Sequence, residues 1–328
     1  MNKGFTFDGA LMFPFRAAHV RTFPWFFALT FATVCTVLTG LAMYLVKDSI
    51  FAFFDRITAL AESDVTSEEE AVRDVFATMF SMFADMIPLM ILGTLVSWIV
   101  WAMFETATQR RYIRDEPFSL GFGVDEIRMM GTGFFWFLLQ AVMFLIPMLA
   151  AFSVFGSLVS FMDGRITEEE FTRASIGTAM VAPLSMLVLF PLYVFFATRF
   201  SPCFGLTVKD RKIAFLDAWA VSRGRFWPIL GAYVIIALVG GMAAGAVASI
   251  AQMALMPAMM SSDFISADVP DFRALLTPGF VVAMLFYSFV RYFMSGLLMH
   301  FAEGPAAFAA RNDPRGSVDD ALRVSEFD

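Results

Sequence analysis

The sequence is poor in the residues on which soluble chemistry depends. It holds two cysteines, Cys35 and Cys203, and two histidines, His19 and His300. Two cysteines cannot staple a disulfide scaffold. Neither histidine belongs to a spacing that supplies a metal site. Charged residues make up 16% of the chain, against about 25% in an average soluble domain. Scarce charge beside 59% hydrophobic residues excludes intrinsic disorder, which needs the reverse balance. It also argues against a two-domain soluble enzyme, which 328 residues would otherwise allow. No Gly-x-Ser-x-Gly elbow, Walker loop or His-Glu-x-x-His occurs, so neither an enzyme nor a cofactor is expected. The net charge of −7 comes without the concentrated basic patch that nucleic-acid binding requires.

What the sequence does have is apolar length. Forty-one Phe and 23 Met accompany a mean hydropathy of +0.71. A spanning helix needs about 20 mostly apolar residues, because each residue rises 1.5 Å through a core about 30 Å thick. Six runs qualify: 24–46, 83–104, 132–154, 178–198, 227–255 and 279–301, the third with apolar residues continuing to 161. The ten-residue alternation of a membrane β-barrel is missing. The expected fold is therefore an all-α polytopic membrane protein with six transmembrane helices. The first run is longer than a signal-peptide core and lacks a small-residue cleavage site, so the chain is expected to stay uncleaved. One membrane domain over residues 1–310 is expected, followed by a loose, charged cytoplasmic tail, 311–328.

Orientation follows from the Lys/Arg bias between alternate loops. The N-terminal segment, the 105–131 and 199–226 loops and the tail together hold 16 Lys and Arg; the intervening loops hold six. Both termini are expected in the cytoplasm. Acids gather on the far side, in Glu68-Glu69-Glu70 and Glu168-Glu169-Glu170. Ser67 with Glu70, and Thr167 with Glu170, have the spacing of capping boxes opening short outer helices over 68–82 and 168–176.

Each segment that leads into an outward span carries an aromatic residue, then an acid, then an aromatic cluster. Phe7-Asp8 precedes Phe23-Pro24-Trp25; Phe122 and Asp125 precede Phe134-Phe135-Trp136; Phe215 and Asp217 precede Phe226-Trp227. This is the pattern of three repeats of an interfacial helix plus a transmembrane hairpin. Aromatic belts and snorkelling cations generate the same look without any repeat.

Arg291 lies near the middle of the last span, where an arginine costs about 2.5–3.5 kcal/mol to insert. It should face a partner or a wet cavity. Gln140, at similar depth in the third span, is the first candidate partner, with Tyr193 and Tyr287 next. Snorkelling to the membrane surface is the plainer expectation for it. The cations Arg110, Arg111, Arg114, Lys209, Arg211, Lys212 and Arg225 fall at the depth of anionic headgroups, where each contributes roughly 1 kcal/mol. Ordinary positive-inside anchoring explains them, and a specific phospholipid site is the sharper alternative. Gly240, Gly241, Ala244 and Gly245 give small-xxx-small pairs that permit close helix contact, as an internal seam or as a homo-oligomer interface. Asp125 and Glu126 are adjacent and point about 100° apart on a helix, which suits first-turn acids rather than paired catalytic carboxylates.

The segment 215–235, with Asp217, Trp219, Gly224, Phe226 and Trp227, resembles the loop and following span of a group of bacterial six-helix inner-membrane proteins. These are similar to YciC and to the membrane domain fused to some glycerophosphoryl diester phosphodiesterases. Residues 122–131 look like an equivalent segment. In that group hydrolysis belongs to a separate soluble domain, which this chain lacks, so the activity does not transfer. The resemblance implies an inner-membrane protein with a role in envelope or lipid homeostasis. Taken together, the sequence predicts a non-enzymatic membrane protein that works through anionic phospholipid and protein contacts. A transporter or lipid-translocating protein built around Arg291 is the alternative.

Overall fold

The computed structural model describes residues 5–62, 68–253, 255–257 and 277–318, and all regular structure in them is helical. In chain order the helices are α1 (Phe7–Arg16), α2 (Phe23–Glu62), α3 (Glu68–Arg114), α4 (Val124–Met143), α5 (Leu145–Met162), α6 (Glu168–Phe200), α7 (Cys203–Asp210), α8 (Ala218–Val221), α9 (Phe226–Met253), α10 (Pro278–Ala302) and α11 (Gly304–Arg311). Six stretches are long and apolar enough to cross a membrane: Phe23–Ala59, Asp74–Arg114, Leu145–Met162, Glu168–Asp210, Phe226–Met253 and Pro278–Arg311. At most 17% of any of their apolar windows is buried within the protein. Side chains such as Leu187 and Met242 are 74% exposed. Apolar surface on that scale is covered by lipid in a membrane protein. By helix length and hydropathy the chain is a multi-pass membrane protein.

The helices outrun the apolar runs that nucleate them. α2 passes residue 46 and continues to Glu62, taking Lys47, Asp48, Asp55 and Arg56 into the helix. No proline or glycine lies between 41 and 62 to stop it. The Ser67–Glu70 capping box falls partly outside the described residues, since Ser67 is not among them. The Thr167–Glu170 box is formed: Glu170 N–H donates to Thr167 Oγ1 (3.3 Å), and Thr167 N–H donates to Glu170 Oε2 (2.9 Å). It opens the 33-residue α6 rather than a short separate helix.

The third span departs furthest from its predicted bounds. Instead of one helix over 132–154 there are two, α4 and α5, meeting at Phe144 (φ −97°, ψ 7°). Pro88, Pro183 and Pro191 lie inside unbroken helices, so a proline alone does not end one here; at this break stands Pro147. It has no N–H for the carbonyl of Met143, and its ring crowds that same carbonyl. The bonds on either side survive, Phe144 N–H to Gln140 O (2.9 Å) and Met148 N–H to Phe144 O (3.0 Å).

The described chain divides into two compact units. One comprises Ala52–Pro88 and Gly133–Ala197. Its interior contacts are aromatic, with Phe80 edge-on to Phe155 (4.8 Å) and Phe161 stacked on Phe171 (5.4 Å). The other comprises Met1–Phe51, Leu89–Thr132 and Thr198–Asp328. Its core is Phe23, Phe27, Phe104 and Ala107, extended by Phe31 and Met299.

Two short helices of the larger unit, α7 and α11, are buried along most of their length and had no counterpart among the predicted elements. Glycines let them approach their neighbours. A Cβ on Gly205 would meet Ala310 Cβ at 2.7 Å, and one on Gly304 would meet the Pro14 ring at 2.6 Å. The three segments preceding the outward spans have different local structures. The first is the ten-residue helix α1, whose Phe7 lies against Gly231 of α9. The second runs without a break into α4, and the third is the four-residue α8. A shared aromatic–acid pattern thus produces three different conformations.

Candidate functional site

The polar residues of the larger unit collect where α1, α7, α8 and α11 meet the last turns of α3 and α10 and the first turns of α4 and α9. Arg111 is central. It is 0% exposed, and among the described residues no acid pairs with it directly. Its guanidinium donates to three backbone carbonyls at the end of α1: Ala18 (2.7 Å), Pro14 (3.2 Å) and Ala17 (3.5 Å). Carbonyls at a helix C-terminus are unpaired and carry the negative end of the dipole, so they suit a cation. Arg111 also donates to His300 Nε2 and lies over the rings of Phe23 (5.3 Å) and Tyr112 (5.1 Å). Because Nε2 accepts, the ring proton is assigned to Nδ1, which faces Thr108 Oγ1 at 3.3 Å. Tyr112 O–H donates to the carbonyl of His300 (2.9 Å).

Two residues before Arg111 on α3, Gln109 Nε2 donates to two carboxyl groups, Glu105 (2.8 Å) and Glu303 (3.3 Å). The Glu105–Gln109 pair is an i,i+4 contact on α3, and Glu303 joins from the α10–α11 junction. Polar groups enclosed at this depth specify one arrangement of the three helices, since each left unpaired costs about 1–3 kcal/mol.

The outer shell is ionic. Asp125, in the first turn of α4, accepts from Arg114 (2.8 Å), Arg128 (3.1 Å) and Arg110 (3.4 Å). Burial pushes its carboxyl up, but the bonds and charges of Arg114 and Arg110 outweigh that and hold it below the usual range. Neighbouring Glu126 pairs with Arg110 (2.9 Å) and accepts from Gly123 N–H (2.8 Å), the return bond of a capping box. Asp313 accepts from Lys209 (2.6 Å) and Arg315 (3.0 Å). Burial again opposes ionisation, and these cations overcome it, leaving the carboxyl at about 2. Arg315 reaches on to Asp217 (3.1 Å), which also pairs with Lys212 (2.8 Å). That hydrogen bond lowers the Asp217 carboxyl and raises the Lys212 ammonium. Arg311 grips Asp115 with two bonds of 3.0 Å.

The residues expected at headgroup depth are therefore distributed unevenly. Arg111 is interior. Arg110, Arg114 and Lys209 are largely covered and ion-paired, with side chains 18%, 24% and 13% exposed. Arg225 donates to the carbonyl of Ala309 (3.3 Å) and lies over Phe5 (4.9 Å). Lys212 and Arg211 remain exposed. Of the tail expected to be loose from residue 311, the described part ends at 318 and is held through Asp313 and Arg315, because these side chains complete ion pairs with Lys209 and Asp217.

Of the intramembrane candidates, Gln140 and Tyr193 are brought together, with Nε2 donating to the phenol oxygen at 3.2 Å. Tyr193 also meets the ring of Phe144, the residue at the α4–α5 break. Arg291 belongs to the other unit and is exposed; Tyr287, one turn before it on α10, is half-buried. On α9, Gly240 faces Leu298 of α10 so closely that a Cβ would lie 2.5 Å from it, whereas Gly241 and Gly245 have nothing within 4 Å; Ala244 is half-buried. Gly240 is thus an internal seam, and Gly241 and Gly245 lie on an open side.

Sequence reading missed Glu105, Gln109, His300, Glu303 and Asp313 as a group. The signal available was the polar run Glu105-Thr106-x-Thr108-Gln109 ending an apolar span, which is unusual unless partners await it. Among the described residues no three His, Cys, Asp or Glu side chains converge as metal ligands. Comparison with protein-family models, with curated proteins and with solved structures gives no match to this chain.

Proposed function

We propose that the chain is a non-enzymatic bacterial inner-membrane protein, with both termini in the cytoplasm, that acts through contacts with anionic phospholipid and with other protein. The observation that carries this reading is how its polar groups are used. The buried ones join helix ends to one another: Arg111 to the end of α1, Gln109 to two glutamates, Asp125 to three arginines. The long helices meanwhile turn apolar side chains outward, and on α9 a Cβ at Gly241 or Gly245 would meet nothing within 4 Å. Such a molecule offers its surroundings surface rather than a reaction centre. The YciC-like resemblance of residues 215–235 supports a role in envelope or lipid homeostasis.

Mass spectrometry of lipids that copurify with the full chain tests the lipid half, and enrichment of anionic phospholipid over the bulk membrane is expected. Cysteine cross-linking at Gly241 tests the protein half. Protease added outside intact cells should not reach the tail. Bulk lipid composition together with a monomeric, uncross-linked chain would end this reading.

A second reading, transport near the membrane midplane, draws on Arg291. Its exposed side chain lies 11 residues from the end of α10, about 16 Å along the axis. Arg291→Leu separates the two. Unchanged function with equal or greater stability assigns Arg291 no transport role.

A further inference from the structure

The larger unit carries an open cavity of about 660 Å³ beside the C-terminal end of α7. Four cations line it, Arg114, Lys209, Arg211 and Arg315, against two acids, Asp210 and Asp313. Three of the cations already serve structural acids: Arg114 holds Asp125, while Lys209 and Arg315 hold Asp313. Arg211 differs. It is exposed, and among the described residues no acid pairs with it. Its backbone is left-handed (φ 52°, ψ 38°) at the C-cap of α7, a position where glycine is usual and an arginine is strained. Retaining arginine there sets a free guanidinium at the cavity edge, flanked by a second, part-exposed one on Arg315. Guanidinium groups present a planar fork of donors that matches phosphoryl oxygens, and the net positive lining attracts an anion into the cavity.

We propose that this cavity is a phosphoryl-binding site in which Arg211 makes the principal contact. The chemistry fits the phosphodiester of an anionic phospholipid or a free phosphate. The site deepens the lipid-contact reading above, and its lipid form rests on that reading.

The test uses the full chain in detergent micelles, in three forms: unaltered, Arg211→Gln, and Arg16→Gln. Arg16 is a cation of the same unit outside the cavity, 64% exposed with Asp8 4.0 Å away, so it controls for charge alone. Binding of phosphatidylglycerol and of phosphatidylcholine is followed by native mass spectrometry, and binding of inorganic phosphate by phosphorus NMR. The expected result is a preference for phosphatidylglycerol that weakens about fivefold or more in Arg211→Gln and is unchanged in Arg16→Gln. Inorganic phosphate binding that Arg211→Gln abolishes, without any lipid preference, supports the cavity and removes its lipid source. A phosphatidylglycerol preference equally affected by both substitutions, or by neither, overturns the cavity and leaves the lipid reading standing. Failure of all three probes to bind overturns both.

Discussion

Arg111 Nη2 donates to the carbonyl of Pro14 across 3.2 Å, tying the end of the third helix to the end of the first. The bond joins residues 97 positions apart, inside a cluster where the arginine has no exposed surface. Three carbonyls of residues 14, 17 and 18 depend on this one guanidinium. Arg111→Met keeps an unbranched stem as far as the position of Nε and removes every donor. It should destabilise the larger unit by about 3 kcal/mol, since the carbonyls stay buried without partners. Arg111→Lys should recover part of that loss, because one ammonium cannot span three acceptors. Thermal unfolding of the full chain in detergent checks the order: unaltered, then Lys, then Met. Equal midpoints for all three would mean that α1 docks by its aromatic contacts alone.

Acid should release the C-terminal segment. Asp313 ionises at about 2 in the folded chain against an ordinary 3.8, so the folded state favours its charged form. A carboxyl lowered on folding adds stability in full above its unfolded value and loses it as pH falls through the folded one. The window is thus about pH 4 down to 2, and the shift corresponds to about 2 kcal/mol. Asp313→Asn should remove this contribution at neutral pH and flatten that part of the curve. Unfolding midpoints for both chains across the window decide it; parallel curves would refute the assignment.

The spans were legible because hydrophobic length alone dictates them, and each predicted run lies within or overlaps a helix. Their ends were not, because a helix need not stop where hydropathy falls: α2 runs 16 residues beyond its apolar run to Glu62. Pro147 was visible in the sequence. Its effect depended on nothing nearby replacing the lost bond, which is a tertiary fact. The ionic shell was half legible. Arg110, Arg114 and Lys209 stood out as cations, but the acids they hydrogen-bond lie 11 to 104 positions away, and charge placement along a chain does not encode that pairing. Arg111 and Arg110 are neighbours of the same type with opposite fates, one interior and one paired at the edge. Only the helix phase and the arrival of α1 separate them.

Glycines of equal appearance should respond oppositely to substitution. Gly205→Ala places a methyl 2.7 Å from Ala310 Cβ, an atom fixed rigidly to α11, and 3.2 Å from Gln109 Oε1. Such overpacking costs about 1–3 kcal/mol and should loosen α7 from α11. Gly241→Ala meets nothing within 4 Å and, replacing glycine in a helix interior, should leave the folded chain at least as stable. Should Gly241→Ala or Gly241→Leu instead reduce cross-linking between copies while the unfolding midpoint holds, the open side of α9 is an association surface.

Replacing the proline at the α4–α5 junction should join the two helices. In Pro147→Ala the new amide N–H lies one helical turn beyond Met143 O, the carbonyl that the proline leaves without its helical donor. Restoring that bond removes both the missing donor and the ring clash, changes worth about 3 kcal/mol in a helix interior. The neighbouring bonds from Phe144 and Met148 need not move. Hydrogen exchange of the 147 amide is the direct measurement, and slow exchange comparable with that of residue 148 is expected. The break also places Phe144 against Tyr193, which receives the Gln140 hydrogen bond, so straightening should shift that pair as well. A fast-exchanging 147 amide would show that the interruption is imposed by packing in the smaller unit, with the proline merely tolerated there.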